Sequence, residues 1–246
     1  YEDDNYGNDG FVEPVTFTGP AELRNELDEL LEELFVEIDR LDDVTYRGKH
    51  LETFKEHIEW FVLSLVANFY RQKLTAIQLQ DEHYRSGSYL NMIGLRHSRV
   101  KSISEALTSI RFTDKIKHSL SQGSRRSTRL WPSEGLLGRF YKFHYYLTYK
   151  FTPPYVKINE QSDNWSETFS VVLQDSTHPD VKDMTKINEF LYKHTWANKG
   201  PVRLIYNTDP FHGGRLYTQF QNLRSRNVKE RINTLIDGEP ICEVDY

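Results

Sequence analysis

The stretch that decides the fold of the middle of the chain begins Ser98-Arg-Val-Lys-Ser-Ile-Ser-Glu-Ala-Leu-Thr-Ser-Ile110 and continues Phe112-Thr-Asp-Lys-Ile-Lys-His118. Its first part repeats apolar residues every three or four positions, which predicts a helix over residues 99–110 with Ser98 as the N-cap. Its second part alternates in the manner of a strand. After a polar loop, Thr128-Arg-Leu-Trp131 predicts a second short strand that Pro132 ends.

Two further short helices are predicted upstream, over residues 74–79 and 88–95. The predicted loop, residues 119–127, leads into the second strand through Gly123-Ser-Arg-Arg-Ser-Thr-Arg129, which combines three guanidinium groups with three hydroxyls. Such groups bind phosphate oxygens. The order helix, helix, strand, basic loop, strand is typical of winged-helix domains, in which the second helix enters the major groove and the loop lies along the DNA.

Candidate nucleic-acid contacts follow from that order. The expected residues are Arg96, Arg99, Lys101, Arg125, Arg126 and Arg129. A solvated basic loop on a winged domain that binds protein is the alternative. The helix has no evident set of base-reading side chains, so sequence specificity is not predicted.

Charge is unevenly distributed along the chain. The net charge of −5 alone argues against a DNA-binding protein. However, residues 1–45 are strongly acidic, whereas residues 85–129 are mostly basic, and such segregation creates local fields that the net charge hides.

An acidic helical hairpin is predicted over residues 18–73, after a flexible lead-in over residues 1–17. Its first helix follows Pro20, and its second spans residues 49–71 with one apolar face. The acidic outer surface is interpreted as a solvated face, or alternatively as a contact for a partner protein or a mask over the basic region. The winged-helix segment then covers residues 74–135, and a mixed α/β portion covers residues 136–246.

The last 35 residues carry a second set of motifs. They include Gly213-Gly-Arg-Leu216, the paired amides Gln221-Asn222, a later Arg231 and a final Glu243-Val-Asp-Tyr246. A glycine pair lets the backbone approach a ligand closely. The final segment is typical of a strand that presents one carboxylate at its end, and phosphoryl transfer uses such carboxylates to hold two divalent metals.

These motifs resemble those of family A DNA polymerases over residues 213–246. Gly214-Arg215-Leu216 is similar to the family's Thr-Gly-Arg-Leu run, Gln219-Phe-Gln-Asn-Leu223 to its Asn-Leu-Gln-Asn-Ile-Pro run, and Asp245-Tyr246 to the start of motif A. Arg224 departs from the family, which has Pro there. The chain also resembles bacterial and mobile-element proteins that join a Ser-Thr-Arg-rich winged segment to a Gly-Gly-Arg-(Phe/Leu)-Tyr segment ending Glu-(Leu/Val)-Asp-Tyr.

The resemblance implies specific roles for four residues. Asp245 would be a catalytic ligand for Mg²⁺, and Arg215, Gln221 and Asn222 would lie against the primer-template. The chain is expected to be the N-terminal part of a polymerase that stops at motif A. It would be a nucleotidyltransferase only with a further C-terminal region, and inactive alone.

Composition excludes several other classes. A single cysteine, Cys242, gives neither a disulfide framework nor a cysteine-based zinc site, and no P-loop occurs. The histidines lack metal-ligand spacing. No apolar run is long enough to span a membrane, so a cytoplasmic protein without membrane contact is expected.

The predicted fold class is therefore helix-rich α+β, with a helical hairpin, a winged-helix segment and a portion like the start of a polymerase palm. Three functional hypotheses stay open. The chain is a DNA-binding, polymerase-like replication protein, a non-catalytic winged-helix initiator or regulator, or an interaction protein that uses the acidic hairpin.

Overall fold

The computed structural model describes residues 10–41, 46–71, 73–116, 128–161, 168–196, 199–210, 213–218, 220–222 and 233–240. The α-helices are α1 (Ala21–Leu41), α2 (Lys49–Tyr70), α3 (Tyr89–Met92), α4 (His97–Ser109), α5 (Glu134–Phe140) and α6 (Pro179–Tyr192). Short 3-10 helices cover Asp81–Tyr84, Tyr141–Tyr146 and Phe220–Asn222.

The strands form four small sheets. They are β1 (Gly10–Phe11), β2 (Val15–Phe17), β3 (Thr75–Ile77), β4 (Thr113–Ile116), β5 (Thr128–Pro132), β6 (Leu147–Tyr149), β7 (Val156–Gln161), β8 (Thr168–Val172), β9 (Arg203–Asn207), β10 (Arg215–Tyr217), β11 (Leu235–Ile236) and β12 (Glu239–Pro240). Their orders are β1-β3-β5-β4, β10-β9-β7-β8, β2-β6 and β11-β12. The coarse prediction of a helix-rich α+β protein is confirmed.

Helix α2 lies at the centre of the larger core. Every residue from Trp60 to Asn68 is buried, although the sequence predicts only one apolar face for this helix. The difference arises because α1, α4, α5, the first sheet and the 3-10 helix Tyr141–Tyr146 all contact α2. A helix that is covered on all sides must be apolar all round.

Helix α1 packs on α2 and α4 through one apolar stripe. Leu27, Leu34 and Ile38 are buried, and Leu23, Leu30, Leu31 and Phe35 pack partly buried against the same core. Most of the acidic residues of α1 are exposed. Arg24 links α1 to α2, since its Nη1 lies 2.7 Å from Glu59 Oε1. One continuous buried cluster extends from these helices into α4, β5 and α5, so packing alone does not separate residues 18–73 from 74–135.

The first sheet corrects one sequence prediction. Residues 74–79 were predicted as a short helix, but Thr75–Ile77 is strand β3, which pairs antiparallel with β5 at Thr75↔Leu130. β5 in turn pairs antiparallel with β4. A short apolar run does not distinguish helix from strand by periodicity, and the pairing with β5 decides the matter here.

The described part of the predicted lead-in, residues 10–17, contains β1, paired with β3, and β2, paired with β6. One other prediction differs from the structure. Helix α4 was expected to start after an N-cap at Ser98, but its N-cap is Arg96, which makes no side-chain capping bond.

A second, smaller core lies in the C-terminal part. It consists of Tyr155, Val156, Met184, Val202 and Tyr206, between α6 and the sheet β10-β9-β7-β8. β7 runs parallel to β9 and antiparallel to β8. Asn188 on α6 holds Val202, the residue before β9, in place. Its side chain donates to Val202 O and accepts the backbone N–H of Val202.

Among the helices of the described residues, none is both long and apolar enough to cross a membrane.

Acid sensitivity is expected from His57, which is only 1% exposed on α2 and whose Nδ1 has no hydrogen-bond partner. Burial, together with the charges of Arg99 and Lys150, lowers its pKa to about 4. The unfolded chain takes up this proton near pH 6.5 and the folded chain only near pH 4, so stability is lost as the pH falls between these values. The difference corresponds to about 3 kcal/mol.

His57→Leu should therefore remove this part of the pH dependence in urea unfolding measured from pH 7 to pH 4. His50→Leu, at an exposed position of the same helix, is the matched control and should leave the pH dependence unchanged. A wild-type protein and a His57→Leu variant with parallel pH profiles would contradict the assignment.

Candidate nucleic-acid interface

Helix α4 has one buried face and one polar face. Val100, Ile103 and Leu107 point into the larger core. The opposite side exposes Ser98, Lys101, Glu105 and Ser109, and we call these four residues the exposed stripe of α4. The stripe follows the helical repeat, so its side chains lie along one line on the surface.

The predicted cations of this helix do not all lie on the stripe. Arg96 and Lys101 are exposed, in agreement with a surface role. Arg99 is half-buried, and its guanidinium carbon lies 6.0 Å from the centre of the Tyr46 ring, next to the connection between α1 and α2. The structure therefore leaves Arg96 and Lys101 open to solvent and directs Arg99 towards the helical hairpin.

The start of α4 is held by His97. One ring nitrogen, Nε2, lies 3.0 Å from Leu79 O, and the other, Nδ1, lies 2.6 Å from Asp81 Oδ1. The ring also packs 5.7 Å from the ring of Tyr84. These contacts fix the first turn of α4 relative to β3 and the 3-10 helix that follows it.

The other predicted cations lie in the segment between β4 and β5 and at the start of β5. Residues 117–127, and with them Arg125 and Arg126, lie outside the described residues. Arg129 begins the return strand and is only 8% exposed, opposite Ala76 and Ile116 in the sheet. Its side chain is largely covered and offers little surface to a phosphate, in contrast to the role that the sequence predicts.

The C-terminal candidates lie on a separate edge. Arg215 is exposed on β10, which pairs antiparallel with β9 through Arg215↔Ile205. Gln221 Oε1 accepts the backbone N–H of Thr218 at 3.0 Å, and Thr218 Oγ1 accepts that of Gln221 at 3.1 Å. The backbone of Asn222 belongs to the 3-10 helix, and Asp245 lies outside the described residues.

Two polar clusters were missed by the sequence reasoning. In the first, the exposed end of α6 meets the β11–β12 turn, where His194 Nδ1 lies 2.6 Å from Asp237 Oδ2 and the backbone N–H of Thr195 donates to Asp237 Oδ1. Asp237 has a positive φ of 53°, and its hydrogen bonds with His194 and then Thr195 lower its pKa. These partners are more than forty positions apart, so no local sequence signal could reveal them.

The second cluster is buried between the two cores. Arg203 Nη1 lies 2.7 Å from Glu13 Oε2, and Lys157 Nζ lies 3.0 Å from the centre of the Tyr89 ring. Burial and then the positive charge of Arg203 hold the pKa of Lys157 well below its usual range. The cluster contains the guanidinium of Arg203, the amine of Lys157 and the carboxylate of Glu13, and the Glu13–Arg203 pair joins the N-terminal segment to the C-terminal sheet.

A metal centre is not formed by the described part of the chain, where no three His, Cys, Asp or Glu side chains come together. Comparison with known proteins finds no matching family model, no matching curated protein and no matching solved structure.

The Gly214 position is expected to be sensitive to substitution. An added Cβ would lie 2.7 Å from Leu204 Cδ1 and 2.8 Å from Tyr206 Cε1. The Tyr206 ring cannot easily move, since its hydroxyl donates to Asp180 on α6. Gly214→Ala should therefore lower the free energy of unfolding by about 1–3 kcal/mol, the usual effect of overpacking.

The control is Gly138→Ala in α5, where nothing lies within 4 Å of the added Cβ. Because alanine favours a helix over glycine, this variant should be as stable as the wild type or slightly more stable. Denaturant unfolding of both variants tests the packing of β10 against β9, and an unchanged stability of Gly214→Ala would refute it.

Proposed function

We propose that this chain binds duplex DNA through a winged-helix unit made of α2, β3, α3, α4, β4 and β5. The observation that carries the proposal is the antiparallel order β3-β5-β4, with α3 and α4 inserted between β3 and β4. In a helix-turn-helix the second helix of the pair enters the major groove, and here that helix is α4.

The exposed stripe of α4 suits a contact with DNA. Lys101 supplies a cation for phosphate or for guanine, Ser98 supplies a hydroxyl, and Glu105 supplies an acceptor of the kind that binds the cytosine amino group. The apolar residues of α4 are all on the other side, in the core. The polar stripe is therefore available without any unfolding of the helix.

Phosphate binding is assigned to cations on both sides of the groove. Arg96 and Lys101 act from the start of α4, and Arg125 and Arg126 act from the loop between β4 and β5. Arg129 is assigned a structural role instead, because its side chain is covered in β5.

Three carboxylates of α1 are paired with other elements of the chain, which weakens the local negative field of this helix although the net charge stays −5. Glu26 pairs with Lys142, Glu32 with Lys55 and Glu33 with Arg139. The alternative function, recognition of a partner protein by the acidic helices, would have to compete with these contacts.

We further propose that residues 213–246 begin a polymerase-like palm, so that the protein acts in DNA replication. The proposal rests on the sequence resemblance, and the exposure of Arg215 and the close approach of Gly214 to β9 are compatible with a nucleic-acid contact at this edge. Asp245 would then bind Mg²⁺. Catalysis would need at least one more carboxylate, since one Asp does not hold two metal ions. A non-catalytic initiator or regulator is the alternative.

Lys101→Ala should weaken duplex binding and reduce its salt dependence. Loss of one phosphate contact lowers the slope of log K against log salt concentration by about 0.9. The double change Arg125→Ala and Arg126→Ala should lower the slope by about twice as much. Fluorescence anisotropy of a labelled duplex over a salt series measures both.

Lys186→Ala is the matched control, because this exposed lysine lies on α6, outside the proposed unit. It should leave the slope unchanged. If Lys101→Ala and the loop variant both keep the wild-type slope, the proposed binding surface is wrong.

A further inference from the structure

Three rings form a column at the junction of α2 and the 3-10 helix Tyr141–Tyr146. Tyr70 and His144 stack with their ring centres 3.7 Å apart and an angle of 5° between the ring planes. Tyr145 lies on the other side of His144 at 3.8 Å, with its ring inclined by 40°. The imidazole is thus held between two phenol rings.

The column ends on an open ring. Tyr145 is 71% exposed, and its neighbours Tyr141 and Tyr146 are also exposed. This large aromatic surface is solvated although the same chain buries Phe140 and Phe143 completely, one turn away. Stacking on Tyr70 and the hydrogen bond between His144 Nδ1 and Tyr141 O hold the imidazole in place, and Tyr145 packs against it.

The surroundings of the column are polar and contain cations. Burial, and then the nearby hydroxyls of Tyr145 and Tyr141, raises the pKa of Tyr70. Arg71 follows Tyr70 and binds the Tyr149 hydroxyl at 2.5 Å. Lys142 lies within the 3-10 helix and pairs with Glu26.

We propose that Tyr145 is a stacking platform for an unpaired nucleobase of single-stranded DNA. Tyr70 and His144 stack in parallel with ring centres 3.7 Å apart, and Tyr145 follows at 3.8 Å with a tilt of 40°. Because Tyr145 is 71% exposed, its ring is open to a flat base. Base stacking on aromatic side chains tolerates any base, because every base has a π-face. This site is separate from the proposed duplex-binding surface and requires a strand that is not paired.

The experiment compares three labelled ligands by fluorescence anisotropy with the full chain. They are oligo(dT), an oligomer of the same length in which every site is abasic, and a DNA duplex. Tyr145→Ala should weaken oligo(dT) binding roughly fivefold or more, as loss of one stacked base does elsewhere. It should leave binding of the abasic oligomer and of the duplex unchanged, whereas Lys101→Ala should weaken duplex binding.

Two controls separate stacking from other effects. Tyr145→Phe keeps the ring and should bind oligo(dT) like the wild type. Tyr192→Ala removes an exposed tyrosine from α6 and should also have no effect. The proposal is overturned if Tyr145→Ala binds oligo(dT) with the wild-type affinity, which is the result expected if the patch binds a protein instead. It is also overturned if Tyr145→Ala weakens binding of the abasic oligomer as much as binding of oligo(dT). If the duplex proposal is wrong, Lys101→Ala will bind the duplex with the wild-type affinity, whatever the result for Tyr145.

Discussion

The burial of α2 on all sides is the constraint on which the rest of the structure depends. Its apolar residues hold α1, α4, α5 and the first sheet in one core, and its few buried polar side chains direct the neighbouring strands. Asn68 Nδ2 donates to Phe11 O and to Thr75 Oγ1, while Ser64 Oγ accepts the backbone N–H of Glu13. The orientation of α4, and therefore of its polar stripe, follows from this packing.

The same helix also controls the C-terminal part through Glu13. Ser64 positions the backbone of Glu13, whose carboxylate pairs with the buried Arg203 on β9. A buried cation without its carboxylate is costly, so this pair specifies how the C-terminal sheet sits against the N-terminal core. These contacts connect α2 to β9, whose neighbour β10 is the edge strand that carries Arg215.

Local sequence patterns predicted the elements that depend on local periodicity. The spacing of Leu27, Leu34 and Ile38 was sufficient for α1, and that of Val100, Ile103 and Leu107 for α4. Strand β3 could not be predicted in this way, because its three residues become a strand only by pairing with β5. The covered position of Arg129, the Glu13–Arg203 pair and the Tyr70–His144–Tyr145 column likewise depend on residues far apart in sequence, for which a single chain gives no signal.

Hydrogen–deuterium exchange of the full chain, with and without a short DNA duplex at low salt, tests the central claim most directly. If α4 and the β4–β5 loop bind DNA, exchange should slow over residues 96–102 and 117–127 and stay unchanged in α6. Protection confined to α1, or no protection in either segment at a duplex concentration that saturates binding, would contradict the account.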